Sequence, residues 1–409
     1  MLLNTPHVVN VPVLKLFSPP NGMLNGSATS YKPSTLKPRL FTPIQVGLMS
    51  LQHRIVHAPT SRYRADADSV PLMPIVEDYY SQRARVPGTL LIAEGTLVSR
   101  EAGGMPNVPG IWSERQIKAW KEVSTRVHDN KSYIFLQIYA LGRAADPEIL
   151  ERMGLPFVSA SDIPISPRPS DALAQSVQRP QSLTKEGIEE YIRSFAEAAS
   201  NAVWKAGLDG VEVHAAGGYL IDQFLQDVSN SRTDEYGGSI ENRARFGLRV
   251  VEAVVRAVGE ERTGIRISPW NTYLGMRMTD PKPTFRYFVA EVRRRFPRLA
   301  YLHVQEPWEP VGSAPGVDND FIRAVWSNKV LVSSGGYDRR LAIETAQTKG
   351  DVIAFARQFI ANPDLPFRLL RDLPLTEGDR ERYYVHGSLD PGGYTDYSFS
   401  PEFELESSM

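Results

Sequence analysis

Apolar runs of five or six residues recur along this chain, between stretches in which apolar residues return every three or four positions. Eight runs carry the signal: His53–His57, Thr89–Glu94, Tyr133–Ile138, Gly210–His214, Gly264–Ser268, Tyr301–Gln305, Val330–Ser334 and Val352–Ala356. They are too continuous for strands with one wet face, so they predict parallel strands covered on both sides. Each leads into a helical pattern, clearest over Glu186–Ala206, Ser239–Val258 and Phe285–Arg295. Eight alternating units predict an α/β fold, a (β/α)8 TIM barrel, rather than an open doubly wound sheet.

Three regions depart from that rhythm. Residues 1–40 carry Pro, Asn, Ser and Gly without periodicity and are expected to form a loosely ordered N-terminal extension, with the barrel over 41–386 and a tail over 387–409. Residues 140–184, after the third strand, form a loop insertion rich in Pro, Ser and Asp. They are too long for an ordinary connection and are expected to cover the site. Near the C-terminal side, Asn362-Pro363-Asp364 predicts a helix start, with Asn362 as cap and Pro363 in the first helical position.

At 409 residues and 42% hydrophobic content, the chain can bury one large core. Its 46 basic and 47 acidic residues nearly cancel, and no basic stretch interleaves with aromatics as a nucleic-acid surface would, which points to a small-molecule partner. No apolar run reaches the ~18 residues of a membrane span, and the first residues lack a basic leader. A soluble cytoplasmic protein, monomer or homodimer, is expected. With no cysteine, disulfides, thiolate metal sites and cysteine nucleophiles are excluded. No metal site is expected, and redox chemistry would have to come from a bound cofactor.

Ser333-Ser334-Gly335-Gly336-Tyr337 follows the seventh strand, and Ala356-Arg357 follows the eighth. Those two loops are where this fold cradles phosphate, since glycine bares the backbone N–H groups and arginine adds a bidentate cation. The richest segment is His214–Phe246, HAAGGYLIDQFLQDVSNSRTDEYGGSIENRARF. DGVEVHA at 209–215 reads as a buried strand, so His214 and Tyr219 emerge at its C-terminal end, where barrel enzymes keep their chemistry.

That segment, with FIANPDL near residue 360, resembles the Old Yellow Enzyme family of FMN-dependent, NAD(P)H-driven ene-reductases, its fungal members above all. The resemblance implies that FMN is the cofactor and NADPH or NADH the reductant. It implies cofactor contacts from Pro59, Thr60, Ser61, Ala93, Gly95, Gln137, Arg266, Gly335, Gly336, Ala356 and Arg357. Ala356 stands where the family usually has glycine, and Ser61 where a hydroxyl tunes the flavin. In the same resemblance His214 holds the substrate oxygen, Tyr219 protonates the α-carbon, and Tyr139 and Tyr384 border the substrate. One position departs: most relatives place Asn or His where this chain has Gly217, so one of two donors to the substrate oxygen has no side chain. The expected activity is reduction of a carbonyl-conjugated C=C bond in fungal specialised metabolism. A redox-neutral rearrangement, or flavin and ligand binding without turnover, stays open.

Overall fold

The computed structural model describes residues 37–165, 178–307, 317–407 and 409, and the barrel unit runs Pro38–Met409. The expected extension over 1–40 therefore lies almost wholly outside the described residues; Leu40, at its end, is fully buried against the barrel's outer helices.

A hairpin of β1 (Ile44–Val46) and β2 (Met49–Leu51) is the first β structure among the described residues, followed by β3 (Ile55–His57), β4 (Leu90–Leu97) and β5 (Tyr133–Tyr139). The insertion after β5 carries a two-residue parallel pair, β6 (Val158–Ser159) and β7 (Gln181–Ser182). Then come β8 (Gly210–Ala215), β9 (Thr263–Ile267), β10 (Tyr301–Gln305), β11 (Leu331–Ser334) and β12 (Val352–Phe355). All eight predicted strands are present, and they close into a parallel barrel in the order β10-β11-β12-β3-β4-β5-β8-β9.

The strands read as continuous apolar runs because both of their faces are covered. Leu90, Ile92, Phe135 and Val332 fill the barrel's interior with the hairpin's Val46, Met49 and Leu51 beneath them. Leu91, Ala93, Leu136 and Val213 face the surrounding helices. Two strand limits shift for local reasons. β3 starts at Ile55, because His53 turns its Nδ1 to accept the Ile55 N–H at 3.2 Å. β4 runs on to Leu97 through a register shift between Ala93 and Thr96. The predicted helix Glu186–Ala206 is an α-helix over Lys185–Ser200 that ends in a π turn, Asn201–Lys205. The helix expected after Asn362 begins at Leu365, with Asp364 as the cap and Pro366 in its first turn. Asn362 instead clamps Thr376, accepting its N–H at 2.8 Å and donating to its carbonyl at 3.0 Å.

The described part of the insertion sits beside the barrel mouth. Its Arg143 donates to Leu274 O at 3.0 Å in the loop after β9, and Gln223, in the helix after β8, donates to Leu141 O at 2.9 Å. Arg62 makes the corresponding tie to the tail. It is 1% exposed, gives its own N–H to Glu94 Oε2 at 3.0 Å, and donates from its guanidinium to Tyr383 O at 2.9 Å and Gly393 O at 2.6 Å. Since Arg62 directly follows Thr60 and Ser61, the C-terminal segment is fastened to the loop expected to touch the cofactor. Arg62→Ala would keep the backbone N–H to Glu94 but leave both buried carbonyls unpaired, and at about 1–3 kcal/mol for each buried group left without a partner it should lower stability by about 2–6 kcal/mol. Urea denaturation checks this; a loss under about 1 kcal/mol would mean the tie carries little.

Candidate active site

Strand register brings the polar side chains together. His214 on β8, Arg266 on β9 and His303 on β10 are direct neighbours across the sheet, and Gln137 on β5 pairs with Glu212 on β8. Alternation does the rest. Glu212 and His214 are two residues apart, as are His303 and Gln305, so each pair points into the barrel.

Beneath the mouth lies a closed network. Gln137 Nε2 donates to Glu212 Oε1 at 2.7 Å, His303 Nδ1 meets Glu212 Oε2 at 2.8 Å, and His303 Nε2 meets Ser334 Oγ at 2.9 Å. Burial alone would raise Glu212, but His303, Arg266 and Gln137 outweigh it and hold the carboxyl below its usual range; burial keeps His303 neutral. Gln137 is one of the expected cofactor contacts. Its NH2 is engaged by Glu212, which leaves the amide oxygen.

Arg266 contrasts with that closed network. Its Nε is buried, and among the described residues the guanidinium makes no hydrogen bond or ion pair, although burial pulls its pKa down. His214 is 5% exposed, its Nδ1 is equally unpartnered, and burial, then Arg266 and His303, hold the ring well below its usual pKa. The imidazole is therefore neutral, with one N–H to offer. Thr60 Oγ1 is a third buried polar atom without a partner.

Two adjoining cavities account for Arg266 and His214, while Thr60 lines neither. One, of about 700 Å³, is lined by Pro59, Arg266, Gln305, Ser334, Gly335, Gly336, Ala356, Arg357 and Tyr383. The other, of about 190 Å³, shares Pro59, Arg266 and Gln305 and adds Ser61, Gly95, Gln137, Tyr139, His214, Gly217, Tyr219, Asn271 and Tyr273. At the far end of the larger one, Gly335 and Gly336 have φ of 139° and 68°, and a Cβ on Gly336 would meet nothing within 4 Å. That is a bare-backbone loop facing the Arg357 side of the cavity. Ala356, where glycine was expected, has φ −98° and keeps its N–H available.

At the smaller cavity three rings converge: Tyr139 to Tyr219 at 4.9 Å edge-on, Tyr219 to His214 at 5.1 Å, and Tyr139 to His214 at 5.9 Å. Tyr219 caps the short helix Leu220–Leu225, delivered by the left-handed turn Gly217-Gly218. Burial, then Tyr273, raise its phenol, so it stays protonated. A Cβ on Gly217 would find only ordinary contacts, 3.5 Å to the Tyr219 ring and 3.8 Å to His214, so the space for a second donor is there and unfilled by that residue.

Three sequence-derived residues line neither cavity, Thr60 among them. Ala93 points out to the helices, as strand alternation requires, leaving only its backbone toward the interior. Tyr384 is 63% exposed and lines neither cavity; its neighbour Tyr383 does. None of the described residues of the 140–184 insertion lines either cavity. Sequence reasoning missed Glu212, His303, Gln305, Asn271 and Tyr273. Polar residues at alternate positions of otherwise apolar strands, as in GVEVHA and YLHVQ, were the available signal for the first three. A bare-backbone loop with a cation at one end, and an orphaned buried guanidinium at the other, fit an elongated anionic cofactor of the FMN kind.

A model of the NADH:flavin oxidoreductase / NADH oxidase family matches residues 39–376. The chain is 47% identical over 378 residues to the chanoclavine-I aldehyde reductase fgaOx3 of Penicillium roqueforti, covering 90% of this chain and 98% of that one. It is 44% identical over 380 residues to a protein of Epichloe festucae var. lolii named probable inactive reductase easA, covering 90% and 97%. The crystal structure of Old Yellow Enzyme from a Pichia species superposes with a TM-score of 0.81 at 39% identity, covering 89% of this chain and 94% of that one. The chain belongs to the NADH:flavin oxidoreductase / NADH oxidase family, the Old Yellow Enzymes. It is a flavin-dependent oxidoreductase, with FMN as cofactor and a reduced nicotinamide as electron donor. Among the described residues no helix is long and apolar enough to cross a membrane.

Burial, then Arg83, also pull His57 down to about 3. Because His57 and His214 sit below their unfolded value of 6.5, the unfolded chain takes up protons there first. Their contribution to stability is present above that value and fades as pH falls through it. Nitrogen-15 spectra of labelled histidine should show both rings neutral down to about pH 5. A midpoint near 6.5 for His214 would contradict the neutral donor.

Proposed function

We propose that this enzyme reduces the C=C bond of an α,β-unsaturated carbonyl compound in fungal specialised metabolism, with His214 holding the carbonyl oxygen and Tyr219 supplying the α-proton. The observation that carries this reading is the neutral His214 beside the protonated Tyr219, at one wall of a cavity that shares Arg266 with the cofactor's. FMN would be held by the Gly335-Gly336 loop and Arg357 at its phosphate, and by Thr60, Ser61, Gln137 and Arg266 around its ring; when bound it supplies the hydride drawn from NADPH or NADH. Every other part of the work falls to side chains of this chain.

As hydride reaches the β-carbon, charge builds on the carbonyl oxygen, where the His214 N–H meets it. A neutral imidazole suits this role because it donates without leaving an uncompensated cation beside Arg266. The phenol of Tyr219 breaks its O–H bond to form the α-carbon's C–H bond, and solvent returns the proton. The net balance is one hydride and one proton added across the double bond. Tyr139, edge-on to Tyr219, limits which face of the alkene can lie against it.

The open space beside Gly217 favours one alternative, a redox-neutral rearrangement in which the substrate sits differently. Product formed without NAD(P)H consumption would establish it. For the reductase reading, Tyr219→Phe should slow flavin reoxidation by an enone about 10²–10⁴-fold and leave anaerobic bleaching by NADPH unchanged. Equal reoxidation by the variant and the parent would rule Tyr219 out as the acid.

A further inference from the structure

We infer that Asn271 is a catalytic residue of this enzyme: its side-chain NH2 is the second hydrogen-bond donor, beside His214, to the substrate's carbonyl oxygen. The inference rests on the ene-reductase reading. An oxygen taking up charge can accept two hydrogen bonds; neutral His214 fills one, and Gly217, at the turn that follows, has no side chain to fill the other.

Asn271 enters the same 190 Å³ cavity from the loop after β9. Its Oδ1 accepts the Tyr273 N–H at 2.8 Å, and since a backbone N–H can be met only by the amide oxygen, this fixes which way the amide is turned. The NH2 is left as the free end, and among the described residues it makes no hydrogen bond. The loop itself is held from three sides. Gly217 donates its N–H to Ser268 Oγ at 2.8 Å, Trp270 Nε1 donates to Asp318 O at 3.0 Å, and Arg143 donates to Leu274 O at 3.0 Å. Leu274 also packs so closely on Gly218 that a Cβ there would come within 2.9 Å of it. The two loops are thus tied to each other, and Asn271, Gly217 and His214 line one cavity.

The cavity's other amides are placed for different work. Gln137 has its NH2 on Glu212, and Gln305 borders the cofactor cavity as well. Tyr219 is the proton donor, and the Tyr273 ring is 54% exposed. Asn271 alone among the amides combines a fixed orientation with an uncommitted donor in the smaller cavity only.

Three variants of the FMN-loaded enzyme test this. Asn271→Ala removes the amide. Asn271→Asp keeps an acceptor for the Tyr273 N–H but loses both donors. Gly217→Asn, added to Asn271→Ala, places an amide at a left-handed position that asparagine tolerates. Two readouts are followed: affinity for para-chlorophenol, read from its charge-transfer band without turnover, and the rate at which 2-cyclohexenone reoxidises the reduced enzyme. Both single variants should weaken phenol binding at least roughly tenfold and slow reoxidation about 10²–10³-fold. The double variant should recover a large part of both. Phenol affinity and enone rate within about twofold of the parent in both single variants would overturn the inference. So would a loss that Gly217→Asn does not relieve, since that marks Asn271 as a structural prop. If the parent itself reduces no enone, the ene-reductase reading fails, and the phenol titration still decides whether Asn271 donates.

Discussion

A guanidinium at a barrel mouth, without an acceptor among the described residues, is the constraint on which the site depends. Arg266 sits on β9 between His214 and His303, and the carboxylate that offsets it through space, Glu212, is already gripped by Gln137 and His303. Burying a cation without a partner costs several kcal/mol, so such a residue persists where a ligand completes it. The closed barrel imposes this arrangement: parallel register levels three ionisable side chains on adjacent strands, and strand alternation aims them inward. Burial first, and then the same field, keep His214 uncharged, which turns an ordinary acid–base group into a pure hydrogen-bond donor.

What distinguishes this site is how donors are shared between loops. The turn Gly217-Gly218 throws Tyr219 back over the cavity, and that geometry requires positive φ at both glycines. A side chain lost at Gly217 therefore leaves the proton donor in place while freeing space beside His214. The loop after β9 is knitted to that turn through Ser268, and its Asn271 lines the same cavity. The insertion after β5 contributes from outside, fixing the loop through Arg143, and the tail contributes through Arg62. Cofactor end and substrate end are thus braced by segments far apart in sequence.

Much of this was legible beforehand. The eight strands stood out because burial on both faces makes each one a continuous apolar run, and the His214–Tyr219 spacing announced its turn. Limits were misread where a side chain competes with the backbone, as at His53, or where a bulge lets polar residues continue a strand, as at Glu94–Gly95. Nothing local to Gln137 announces that Glu212, 75 positions on, takes an N–H of its amide. Asn271 was invisible for a similar reason: it lies in a loop without periodicity, and its meaning comes from the cavity it enters. Ala93 and Tyr384 show the converse, since a matched position fixes the backbone's place and leaves the side chain's direction to alternation or exposure.

The most direct measurement is thermal and urea stability with and without FMN, in the parent and in Arg266→Met. If the guanidinium waits for the cofactor, the FMN-free variant should be as stable as the FMN-free parent or more so. FMN at about 100 times its Kd should stabilise the parent by roughly 2.7 kcal/mol and the variant by clearly less. An FMN-free variant several kcal/mol less stable than the parent, with its gain from FMN intact, would contradict the account by making Arg266 a structural cation of the barrel.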